Sequence, residues 1–267
     1  MREDKILKMI ESNPIVIKNI ENPSDEMKIM AIKKDGIMIR YLRKPTKEMQ
    51  EMAIKSNSRA IEFIENPTYD MSKYVVSNIW NNLQYIENPN EELIKAGIAQ
   101  KGYAIKYAIK PSVLLQKLAI EKDYDAIKYI EDPIEEVQLL AIKINYNALR
   151  YIENATLSAE ILAITENEAA IKFIVNIDEN KKILFLKHNV LVMKYFINDL
   201  PRDVVEQAFK EVLSKEEVSE KYVRNFINCE SINEKYENIS MDKIIFIYKY
   251  GSETCKRIAV DEKLNTI

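Results

Sequence analysis

Glycine is nearly missing from this 267-residue chain, which has four against eight prolines. A sheet of many strands needs glycine-type residues at its tight turns, and a phosphate cradle needs a glycine-rich loop, so neither is expected. Nothing in the sequence approaches GxxxxGK or GxGxxG. Cysteine is scarcer still, with Cys229 and Cys255 far apart and outside any CxxC pattern. That excludes a disulfide framework and a thiolate metal cage, and leaves two free, buried thiols as the expectation. The single histidine, His188, has no nucleophile or metal-binding companion that spacing identifies, so a satisfied structural ring is expected. Acid pairs such as Glu135 and Glu136 fall at helix starts, where the helix dipole accounts for them without acid–base chemistry. The sequence thus predicts no enzyme, no cofactor and no metal.

Long apolar runs are missing too. The opening MREDKILKMIESN is charged throughout and no later segment approaches a membrane span, so a cytoplasmic protein without membrane contact is expected. A net charge of -3 argues against a generally basic nucleic-acid binder, although it leaves room for a local positive stripe.

What is present is 47% apolar and 30% charged residues, rich in Ile, Lys, Leu, Glu and Ala, a composition that favours helices. A heptapeptide then recurs: IKNIENP ending at Pro23, IRYLRKP at Pro45, IEFIENP at Pro67, LQYIENP at Pro89, IKYAIKP at Pro111 and IKYIEDP at Pro133. The step is 22 residues each time, and degenerate copies continue in phase to Ala155, Ile177 and Asp199, giving nine in register. A fixed period of this size marks a stacked repeat.

Each unit reads as two helices. The first follows the Asn-Pro, capped by Asn22 with Pro23 at its first position or by Ser24, and Met27, Met30 and Ala31 form its apolar face. It is expected to stop at the column Asp35, Asn57, Asp123, Asn145, Asn167 and Asn189, residue types that tolerate the left-handed conformation. The second helix is the heptapeptide itself, about two turns ended by the next proline. Small residues at Ala31, Ala53, Gly97, Ala119, Ala141 and Ala163 let the first helices approach closely, until Phe185 breaks the column. The expected fold is an all-α solenoid of about nine hairpins over residues 1–200, with a C-terminal helical cap or small helical domain over 201–267.

The unit, carried by AIKYIEDP and its matching Ala-Ile and Asn-Pro or Asp-Pro elements, resembles the leucine-rich-variant type of short helical repeat and uncharacterised bacterial and phage repeat proteins. The iron–sulphur cluster of some leucine-rich-variant proteins is not implied, because no cysteine precedes Cys229. With the AT-rich codons that the Ile, Lys and Asn usage suggests, the resemblance implies a phage or mobile-element protein that inhibits a host factor such as a nucleic-acid-guided defence complex, an anti-CRISPR role.

Three columns reach the surface. Lys18, Arg40, Lys106, Lys128, Arg150, Lys172 and Lys194 form a basic ladder, interrupted by Glu62 and Gln84. It reads either as a phosphate track or as cations each neutralised by the acid three residues on, as Lys18 by Glu21, Lys128 by Glu131 and Arg150 by Glu153. Tyr41, Phe63, Tyr85, Tyr107, Tyr129, Tyr151, Phe173 and Tyr195 form an aromatic column, read as packing between repeats or as base-stacking platforms. Trp80, Tyr103, Tyr124 and Tyr146 occupy the turn between helices and are the candidate partner-binding residues, with Trp80 either an interface anchor or a plug for a turn altered by Ile79. The expected function is recognition of a partner protein. The alternative is nucleic-acid binding through the ladder, directly or in a ribonucleoprotein.

Overall fold

The computed structural model describes residues 3–232 and 240–264, and the chain divides into two compact units, Met1–Glu131 and Asp132–Ile267. Among the described residues all regular structure is helical, and the fold is the all-α helical-hairpin repeat that the period implies.

In the first unit, α1 (Glu3–Ser12), α2 (Asp25–Lys34), α3 (Lys47–Ser56), α4 (Tyr69–Asn78), α5 (Glu91–Gln100) and α6 (Val113–Lys122) each lie against the next. Each is followed by a six-residue 3-10 helix: Pro14–Asn19, Gly36–Tyr41, Ser58–Phe63, Trp80–Tyr85, Gly102–Tyr107 and Tyr124–Tyr129. The short helices also lie side by side. In the second unit, α7 (Glu135–Ile144), α8 (Leu157–Glu166) and α9 (Glu179–His188) stack in turn, with 3-10 helices at Tyr146–Tyr151 and Glu168–Phe173. After α9 the pattern changes: a three-residue 3-10 turn, Val190–Val192, runs into α10 (Met193–Phe196). Among the described residues four further helices complete this unit, α11 (Arg202–Leu213), α12 (Glu220–Asn228), α13 (Lys243–Tyr250) and α14 (Glu253–Leu264). Their core is the ring cluster Phe209, Phe226 and Phe246, with Phe209 edge-on to Phe226 at 5.0 Å.

The second element of each hairpin departs from expectation. It is a 3-10 helix that begins three residues before the heptapeptide and ends at its third residue, as Tyr124–Tyr129 does against IKYIEDP. One extended residue does two jobs at the junction. The Asp35 N–H closes α2 on the Ala31 carbonyl at 3.0 Å, while the Asp35 carbonyl and carboxylate accept from Met38 (3.0 Å) and Ile37 (3.0 Å) to open the 3-10 helix. With φ -152° this residue is extended, not left-handed. Nor is Asn22 the cap: the Ser24 hydroxyl accepts from the Met27 N–H, and Thr46, Thr68, Asn90, Ser112 and Thr156 repeat that bond. In α2 the buried face is Met27, Ala31 and Ile32, with Met30 only half-buried.

The left-handed conformation appears elsewhere, on the residue before the repeated proline: Lys44, Asn66, Asn88, Lys110 and Asp132, and again at Asn176. Asn and Asp accept this geometry readily, whereas lysine is strained there. Lys110, at φ 53°, is exposed and its ammonium makes no hydrogen bond or ion pair among the described residues. Lys110→Asn is therefore expected to raise stability by about 0.5–1 kcal/mol, read as a higher midpoint in urea unfolding.

Cys229 and Cys255 are buried and free. Burial pushes the Cys255 thiol up to about 11, which leaves it protonated and unreactive at neutral pH. Among the described residues no helix is long and apolar enough to cross a membrane, and no group of three or more His, Cys, Asp or Glu could hold a metal ion.

Candidate recognition surface on the short helices

A 3-10 helix has three residues per turn, so its side chains at i and i+3 eclipse. Six residues then give three rows of two. In Gly102–Tyr107, Gly102 and Ile105 face inward, Tyr103 and Lys106 share an outer row, and buried Ala104 stands under half-buried Tyr107. The same rows repeat along the unit, so Arg40, Lys106 and Lys128 each stand beside the aromatic residue of their own short helix.

Six of the ladder cations lie over rings, and two of these, Lys128 and Lys194, also hold a carboxylate. Arg40 lies over its neighbour Tyr41 at 5.2 Å and over Phe63 of the next hairpin at 4.9 Å. Lys106 sits over Tyr107 at 4.8 Å and over Trp80 of the preceding hairpin at 5.3 Å. Lys128 spans Tyr129 at 5.2 Å and Tyr103 at 4.2 Å, and in the second unit Arg150 spans Tyr151 at 5.2 Å and Phe173 at 5.8 Å. Lys18 covers Tyr41 at 5.7 Å, and Lys194 covers Tyr195 at 5.2 Å. Such contacts stabilise by about 0.5–1 kcal/mol at exposed sites and leave the charge in place.

The acid three residues on is not the partner. Glu21, Glu131 and Glu153 make no ion pair among the described residues. The helix has already ended at the aromatic residue, and the chain leaves in extended form at Ile20, Ile130 and Ile152. Where a pair does form within a short helix it follows the eclipsed row, as in Lys128 to Asp125 at 2.9 Å and Arg59 to Glu62 at 3.0 Å. Lys194 instead reaches Glu168 of the preceding hairpin at 2.8 Å. Lys18, Arg40, Lys106, Arg150 and Lys172 have no carboxylate within ion-pair distance among the described residues.

The four candidate aromatics fall in the first turn of the short helices, not in loops between helices, and all are half-buried. Trp80, Lys106 and Tyr107 come together, with the two rings 6.4 Å apart and tilted 48°, and the Tyr107 hydroxyl donates to Asn81 Oδ1 at 2.9 Å. The turn altered by Ile79 is satisfied by another group: Gln100 Oε1 accepts from the Trp80 backbone N–H at 3.1 Å, while its amide donates to Val76 O at 2.6 Å and Ser77 O at 3.1 Å. The indole N–H has no acceptor among the described residues.

Tyr103 is committed. It meets Tyr129 edge-on at 5.4 Å, its hydroxyl donates to Asp125, and Lys101, paired with Asp123 at 2.7 Å, covers its ring at 4.5 Å. The bond to Asp125 raises the Tyr103 hydroxyl above its usual range, and the same carboxylate raises Lys128. Burial works against the Asp125 charge, yet the bonds from Tyr103 and Lys128 leave its carboxyl below the usual range. Tyr124 and Tyr146 join neither cluster. Asn81, Gln100 and Asp125 were not singled out from the sequence, and only the three-residue helical spacing of Asp125 and Lys128 could have signalled one of them.

No protein-family model matches the chain, no curated protein is similar to it, and no solved structure matches it.

Proposed function

We propose that this chain is a non-enzymatic recognition protein whose partner is another protein, docking on the outer face of the short helices with Trp80 as its anchor. The observation that carries the reading is the half-buried Trp80 ring, which shares Lys106 with Tyr107 and whose indole N–H has no acceptor among the described residues. An amphipathic ring already positioned by neighbours loses little freedom on binding, which is why such residues dominate interface energetics. The adjoining column carries exposed Glu21, Glu65, Glu87 and Glu131, with exposed Arg43 and with Ile109, 76% exposed, among them. Cations, carboxylates and an aliphatic side chain on one face suit a protein surface, whereas a phosphate backbone would meet the carboxylates as like charges.

Affinity capture with and without nuclease tests this. A captured protein should survive nuclease, and Trp80→Ala should weaken its binding by roughly 30-fold, the effect of a hot-spot truncation. The nucleic-acid reading has its own observation, the lack of carboxylate partners at Lys18, Arg40 and Lys106. It predicts capture that disappears with nuclease, falls steeply with salt and is abolished by Lys106→Glu with Lys128→Glu while Trp80→Ala binds normally. That result would overturn the protein-partner reading.

A further inference from the structure

His188 departs from the expectation of a satisfied structural ring. It is exposed, at the end of α9, and its imidazole makes no hydrogen bond among the described residues. It borders a cleft of about 220 Å³ within the second unit, where α9, α12 and the segment between α11 and α12 meet. The walls are pinned. The buried Tyr222 hydroxyl of α12 donates to Leu186 O of α9 at 2.9 Å, and the Lys215 carbonyl accepts from Ser252 Oγ at 2.9 Å.

The donors around this cleft outnumber its acceptors. Lys215 has no ion pair among the described residues, and the Lys221 ammonium donates to the Thr165 and Glu166 carbonyls, at 3.2 and 3.4 Å, with Glu168 and Glu211 acting on these two charges from beyond ion-pair distance. Ser219, ahead of α12, makes no side-chain cap bond, and the Asn225 amide makes no hydrogen bond among the described residues. Lys187 also lines the cleft and is held by Glu211 at 2.5 Å, while Glu220 holds Arg224 at 2.7 Å and Glu216 holds Thr254 Oγ1 at 3.0 Å. Glu217 is the single carboxylate lining the cleft. Desolvation in the cleft, with the Lys215 ammonium as the lesser cause, holds His188 below its usual range.

We propose that this cleft is an oxyanion site that takes one phosphate group through His188, Lys215 and Lys221. Donors arriving from three separate elements suit a tetrahedral anion better than a planar carboxylate, and a phosphate's charge of about -1.5 to -2 matches two lysines and a protonating imidazole. The volume is smaller than the roughly 300–1,000 Å³ typical of sites for whole small molecules, so the ligand is a single group. The site shares no residue with the recognition face of the first unit.

Because the chain has one histidine, its imidazole proton resonance isolates the site in the intact protein. Titration with inorganic phosphate, against sodium chloride of equal ionic strength, should move that resonance saturably and raise the His188 pKa, since a bound anion favours the protonated ring. Lys215→Gln and Lys221→Gln should each weaken phosphate by about tenfold, the effect of losing one charged hydrogen bond. Lys215→Gln should also raise the His188 pKa without phosphate, because it removes the opposing charge. O-phosphoserine binding more tightly than inorganic phosphate would assign the site to a phosphate carried by a larger molecule, and equal binding to the free ion. The proposal is overturned if phosphate does no more than chloride, if acetate competes equally, or if both lysine variants respond as the parent does.

Discussion

Phe209→Ala is expected to lower the stability of the second unit by about 3–5 kcal/mol, the range for removing a fully buried phenylalanine. Phe209 is completely inaccessible, meets Phe226 at 5.0 Å with the planes 74° apart, and meets Phe246 at 6.5 Å and 89°. Both are edge-to-face arrangements, which add to the area buried and are lost together with it. The three rings come from α11, α12 and α13, so the cavity would open where these helices converge. Urea unfolding followed by circular dichroism measures the loss. Domains hold together by only about 5–15 kcal/mol, so the variant should be near its unfolding midpoint in mild denaturant. A loss below about 1 kcal/mol would show that this cluster is not the core of the unit.

Gly36→Ala should cost about 3 kcal/mol, toward the upper end of what overpacking costs. An added Cβ would stand 2.1 Å from the Ala53 carbonyl oxygen and 3.0 Å from the Asn57 nitrogen. Both are backbone atoms of the next hairpin, and α3 would have to move away from the Gly36–Tyr41 helix to make room. Gly97→Ala is the informative contrast, because its Cβ would meet Leu83 Cδ1 at 2.7 Å and Ala104 Cβ at 2.9 Å, side-chain atoms of which the first can turn aside. The two variants compared by urea unfolding should differ by at least about 1 kcal/mol. Equal losses would mean that close backbone approach is not what requires Gly36.

These residues also show how far the sequence can be read. The period was legible because a proline every 22 residues cannot be placed inside a helix, and the stacking columns because small or apolar residues recur at one phase. The type of the second helix was not. Six residues with two buried positions fit a 3.0-residue turn as well as a 3.6-residue one, and the difference decides which side chains are neighbours. Hence Lys128 pairs with Asp125 behind it rather than Glu131 ahead of it. The left-handed position was misplaced for a related reason. Asn and Asp stand both at the helix junction and before the proline, and the junction residue is held extended by having to serve two helices at once.

The candidate surface divides in the same way. The basic and aromatic columns could be counted from the sequence, since each depends only on spacing along the chain. Which ring covers which cation could not, because Arg40 reaches Phe63 and Lys106 reaches Trp80 across neighbouring hairpins. The sequence by itself determined an all-α repeat, its period and the residues available to its outer face, because local propensity and proline placement act within a single unit. Only the tertiary structure decided that the short helices are 3-10, that Gln100 rather than Trp80 satisfies the altered turn, and that His188 joins Lys215 and Lys221 at one cleft. Those outcomes rest on contacts between groups tens of residues apart, which burial and chain geometry select and which no short-range pattern records.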